Sequence, residues 1–150
     1  MSQSLVQNYL HITFSTKYRL PLIQPSIANE LYAYIGGICK EFECHPIEIG
    51  GFVDHVHILC MLSKKVALMD LLRLIKCNSS KWIKSFGEKY DGFYWQDGYA
   101  AFSVNHKDVK AVADYIQNQE QHHKTQDFQN ELRYFLNRYQ IKYDERYVWE

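Results

Sequence analysis

The stretch Gly51-Phe52-Val53-Asp54-His55-Val56-His57-Ile58-Leu59-Cys60-Met61-Leu62 decides how the rest of the chain is read. Its apolar, β-branched run from His55 to Leu62 predicts a strand. Strand side chains alternate, so His55 and His57 share one face while Val56, Ile58 and Cys60 share the other. Two imidazoles side by side on a sheet face form half of a metal site. By the same alternation a regular strand turns Asp54 away from both histidines, which suggests a structural role for it.

Working outward, residues 47–52 form a second strand interrupted by Gly50-Gly51, and the short connection to His55 predicts a hairpin. Upstream, residues 8–15 alternate as well: Leu10, Ile12 and Phe14 against Tyr9, His11 and Thr13. Between these strands Pro25-Ser26 opens a helix with Ile27, Leu31, Tyr34, Ile35 and Ile38 at a 3.6-residue period. Residues 66–86 predict a long amphipathic helix, buried through Leu68, Leu71, Leu72, Ile75, Trp82 and Ile83. A turn-rich aromatic loop over 87–98 leads to a short strand over 99–104. Two helices follow, over 107–122 and 127–139, and then an aromatic tail.

The order β-α-β-β-α-β plus two helices predicts an α+β, ferredoxin-like (split βαβ) four-stranded antiparallel sheet, forming one domain over residues 1–150. Helices are expected on one face. The other face, carrying His55, His57 and beside them His11, is expected to stay free for a site or a partner.

The chain has 150 residues and is 47% hydrophobic, enough for a core and unlike a disordered protein. Formal net charge is zero, which disfavours tight non-specific duplex binding. Charge is uneven, however. Lys64, Lys65, Arg73, Lys76, Lys81 and Lys84 face only Asp70 over that span, which suits contact with a limited stretch of nucleic acid or simply a solvated helix face. Lys76 and Ser80 share a helix face and could grip phosphates, as could Lys17 and Arg19 after the first strand. The four cysteines lack CxxC spacing and read as reduced thiols. With no basic leader and no membrane-length apolar run, a cytoplasmic location is expected.

Tyr115 and Gln119 lie four residues apart, placing a phenol and an amide on one helix face. With the histidine pair they point to metal-assisted attack by a tyrosine on a phosphodiester. The segment Tyr115-Ile116-Gln117-Asn118-Gln119-Glu120-Gln121-His122-His123-Lys124 is rich in amides and histidines, as befits a helix against a polar site.

Six segments together resemble the single-stranded-DNA transposases of the insertion-sequence 200/605 family, within the HUH endonuclease superfamily. They are 11–19, Asp54-His55-Val56-His57-Ile58-Leu59, 76–80, Trp95-Gln96-Asp97-Gly98-Tyr99, Tyr115-Ile116-Gln117-Asn118-Gln119 and 143–149. The resemblance implies that His55, His57 and Gln119 bind a divalent metal, Mg²⁺ or Mn²⁺, and that Tyr115 is the nucleophile. It implies cleavage and rejoining of single-stranded DNA through a 5′-phosphotyrosine, at hairpins near insertion-sequence ends. It also implies a homodimer whose tyrosine helix can complete the partner's site. Mg²⁺ favours oxygen ligands over imidazoles, so Gln119, phosphate and water would supply the rest.

Four other readings compete: a repeat-associated or replication-type nickase of the same superfamily, a non-catalytic module stacking bases on the open sheet face, a zinc protein using Cys44, His45, His55 and His57, and a ferredoxin-like dimer with no catalysis.

Overall fold

The structure is a computed structural model that describes residues 2–150. Strands β1 (Tyr9–Ser15), β2 (His45–Phe52), β3 (His55–Met61) and β4 (Ala100–Ser103) form one sheet in the order β2-β3-β1-β4, all neighbours antiparallel. This is the expected α+β, ferredoxin-like arrangement. The histidine strand is central, paired on both sides, which fixes its register.

Helices α1 (Pro25–Glu41) and α2 (Leu68–Lys84) pack on the face built from Ile12, Phe14, Val56, Ile58 and Cys60. Pro25 occupies the first turn of α1, where a missing N–H is harmless. From α1 come Ile27, Leu31, Ile35 and Ile38, and from α2 Leu71, Leu72, Ile75 and Ile83. Trp82, expected in the core, is only half-buried and stacks on Tyr34 with ring centroids 4.8 Å apart.

The second face departs from expectation. It is covered by α3 (Val109–Gln117), α4 (Gln119–His122) and α5 (Phe128–Arg138). Leu59, Val104 and Ile116 form one apolar cluster there, and Phe102, Phe128, Leu132 and Leu136 a second. Apolar residues on that face, Leu59 and Phe102 among them, need cover as much as those on the first. The single helix expected over 107–122 is in fact two: it breaks at Asn118, whose side-chain amide caps Asp114 O at 2.8 Å. Tyr115 therefore lies in the last turn of one helix, and Gln119 starts the next.

The two glycines of β2 are close-approach positions. A Cβ on Gly50 would lie 2.9 Å from Ile116 O, so its absence lets α3 sit against the sheet. A Cβ on Gly51 would lie 2.2 Å from His55 O, on the paired start of β3 just beyond the turn. We therefore expect Gly51→Ala to destabilise the protein by about 2 kcal/mol or more in urea unfolding. Gly37 of α1 gives the contrast, since a methyl group there would meet nothing within 4 Å. Gly37→Ala should stabilise by about 0.5–1 kcal/mol, through helix propensity and reduced unfolded-state entropy.

Candidate metal and nucleophile site

Strands β1 and β3 and the helices over them build the site. β3 contributes His55 and His57, both with no exposure. β1 contributes His11, whose Nε2 lies 2.7 Å from His57 Nδ1. The helices above bring Tyr115, Gln119 and His123 down onto them. Gln119 Oε1 is 2.9 Å from His55 Nε2 and 2.9 Å from His123 Nε2. His55, His57, Gln119 and Tyr115 thus meet within one chain.

Their meeting point is a residue that sequence reading missed. Glu131 of α5 is buried, at 2% exposure, with its carboxylate in the middle of the group. His57 Nε2 donates to its Oε1 at 2.8 Å, and His55 Nε2 stands 3.4 Å from the same oxygen. Its Oε2 accepts from the Tyr115 hydroxyl and, at 3.1 Å, from the Gln119 amide. A signal was present in the sequence. Glu131 falls three residues after Phe128 and four before Phe135, on the apolar stripe that buries α5.

Asp54 also differs from expectation. β3 starts at His55, so Asp54 lies in the turn and escapes strand alternation. Its Oδ1 accepts from His55 Nδ1 at 2.7 Å, fixing that ring's orientation from behind.

Electrostatics follow from these contacts. Burial opposes charge on His55, but the bonds to Asp54 and Glu131 outweigh it and push its pKa up to about 9. Burial dominates at His57, whose pKa falls despite Glu131, and at His11, pulled down to about 3 with His57 adding to the effect. Burial disfavours the Glu131 anion, yet the surrounding histidines hold its carboxyl well below the usual range. Burial and then the Glu131 charge push the Tyr115 phenol well above its ordinary value. The free phenol is thus a poor nucleophile as it stands.

The donor set fits a divalent metal. His55, His57 and Glu131 offer ligand atoms within 4.8 Å of one another. The amide oxygen of Gln119 adds a further hard donor beside His55. The four-residue zinc set does not assemble, because His45 pairs with Met61 at the far end of the hairpin from His55. The sheet face that a base-stacking module would use lies under α3–α5.

The basic residues fall elsewhere. Lys76 Nζ donates to the carbonyls of Gln96, Asp97 and Gly98 at 3.0, 2.9 and 2.7 Å, so its three protons tie down that loop. Burial lowers its pKa to about 8, with Asp97 opposing. Ser80 sits one turn along at the same groove. Lys17 is exposed, and Arg19 lies over the Trp149 ring at 5.5 Å.

We expect His57→Ala to abolish Mn²⁺ binding in calorimetric titration. Asp54→Ala should weaken it by about 10–100-fold, since the ring loses its orienting acceptor. The metal must displace a proton from His55, whose pKa is about 9, so wild-type affinity should rise with pH up to that value.

A profile of the family described as "Transposase IS200 like" matches residues 4–119. No curated protein matches the chain. Among solved structures, a candidate transposase from Deinococcus radiodurans R1 is similar at 20% identity, over 79% of this chain and 96% of that one, with a TM-score of 0.62. A REP-associated tyrosine transposase bound to a REP hairpin is similar at 16% identity, over 82% of this chain and 74% of that one, with a TM-score of 0.60. These likenesses corroborate the fold, while the profile spans most of the sequence, and on that ground the chain belongs to the IS200-like transposase family.

Proposed function

We propose that this transposase cuts and rejoins single-stranded DNA at insertion-sequence ends, with Tyr115 as the nucleophile and a 5′-phosphotyrosine as intermediate. The observation that carries the reading is convergence. A phenol, two imidazoles and an amide, drawn from β3, α3 and α4, surround one anion-sized position.

Each residue has a task in this reading. Tyr115 Oη attacks phosphorus, forming the Tyr–O–P bond as the P–O3′ bond breaks and the 3′-oxygen leaves as a hydroxyl. His55, His57 and Gln119 hold a divalent metal, Mg²⁺ or Mn²⁺. An ion held there would supply charge neutralisation at the phosphate and help to align it for in-line attack. Asp54 and His11 hold the imidazoles from behind. The covalent ester keeps the phosphodiester's energy, so an incoming 3′-hydroxyl can rejoin the strand without ATP.

DNA away from the cut would lie against the basic elements. An open groove of about 440 Å³ between α2 and residues 95–99 is lined by Arg73, Lys76, Ser80, Trp95 and Tyr99. It is on the α2 side of the sheet, opposite Tyr115, and so suits a hairpin stem or flanking strand. Lys17 and Arg19, at the end of β1, would extend that surface. The dimer with shared sites belongs to the same proposal.

The test uses single-stranded oligonucleotides from DNA flanking the reading frame, with Mn²⁺ or Mg²⁺ and a denaturing gel. Wild type should form a protein–DNA adduct and Tyr115→Phe none, with binding retained. An adduct persisting in Tyr115→Phe would move the nucleophile to another tyrosine. Binding without any adduct would remove the cutting reading. A mixture of Tyr115→Phe and His57→Ala chains should recover adduct if the tyrosine helix serves the partner's site, and none if each chain completes its own.

A further inference from the structure

The Glu131 carboxylate, which offers a ligand atom beside His55 and His57 in the resting site, takes no part in the bond changes just described, yet it occupies the centre of the site. One oxygen faces the metal-holding pair His57 and His55, and the other faces the nucleophile Tyr115 and the Gln119 amide, so the carboxylate lies where a metal and the phosphate on it would meet. A fifth group, His123 Nε2, stands 3.4 Å from Oε2. An anion of similar shape cannot enter while the carboxylate is there, and two anions at that spacing repel. His55 and His57 have no exposed surface, so DNA cannot reach them with α5 docked.

Glu131 also lies beyond the family match, which ends at residue 119. The helix that carries it is also held by contacts outside the polar site. Phe128, Leu132 and Leu136 pack against Phe102. On the outer side Arg133 pairs with Glu145 at 2.7 Å and covers Trp149. Asp127 caps its first turn, accepting from Asn130 N at 2.8 Å.

We infer that Glu131 fills, as an internal stand-in, the space that the metal and the scissile phosphate would share, and that α5 withdraws when single-stranded DNA binds. This rests on the reading of Tyr115 and the histidine pair as the cutting site. It makes Gln119 Nε2 and His123 Nε2 phosphate-facing groups once the carboxylate leaves. The docked state is then a resting state, and DNA competes with α5 for the same donors.

Two variants and one binding measurement test this. Glu131→Ala removes the stand-in, and Leu132→Ala loosens α5 without touching a polar group of the site. Both should raise the initial rate of adduct formation by roughly fivefold or more at limiting oligonucleotide. A folded Glu131→Ala chain that cuts more slowly than wild type would overturn the inference, because Glu131 would then be needed in the reaction. Hydrogen exchange gives a readout independent of cutting. In wild type with metal chelated, adding the oligonucleotide should speed exchange of the amides of residues 128–138. Protection unchanged in the DNA complex overturns the inference and leaves the cutting reading intact. Faster exchange in a chain that never forms an adduct upholds the α5 movement and removes the cutting reading instead.

Discussion

A buried carboxylate ringed by imidazoles holds the upper half of this molecule in place. Moving an ionised carboxyl out of water costs several kcal/mol, and only close partners offset it. Glu131 has them on both oxygens, supplied by β3, α3 and α4. Because those partners come from separate elements, the one charge fixes where each of them sits. α5 cannot slide along the sheet without breaking contact with His57, and Tyr115 cannot rotate away without losing its bond to Glu131 Oε2.

What lies beneath is a rigid platform. β3 is hydrogen-bonded along both edges, Ile58 and Val56 are sealed under α1 and α2, and Thr13 Oγ1 donates to Val56 O at 2.8 Å between the two histidines. Asp54 and His11 then set the two rings from opposite sides. Ring orientation is thus decided by backbone register and by neighbours that never face the substrate. That is the arrangement expected where metal ligands must be aimed before the ion arrives.

Much of this is legible in the sequence. Alternation assigns His55 and His57 to one face and Val56, Ile58 and Cys60 to the core, and helix spacing brings Tyr115 and Gln119 near each other. The parts that escape share a cause: each depends on a local break in the period used to read it, or on residues that the period leaves uncounted. Strand alternation misplaces Asp54 because that residue belongs to the turn. Helix periodicity runs through Tyr115 and Gln119 without a break because Asn118 ends one helix without preventing the next. The second face looks open because His11, Thr13, His55 and His57 are polar, while Leu59 and Phe102 on that face carry the apolar surface that draws α3–α5 down.

Glu131 is the harder case, since a lone acid on an amphipathic helix normally marks the solvent side. Position settles it. With Phe128, Leu132 and Leu136 inward, the Glu131 side chain has no route to water, so it must have buried polar partners. The imidazole-rich surface within its reach is the one on β3. Taken in that direction, an acid on an apolar stripe and a histidine pair on a sheet face are two halves of one statement: neither can be buried alone, and each accounts for the other.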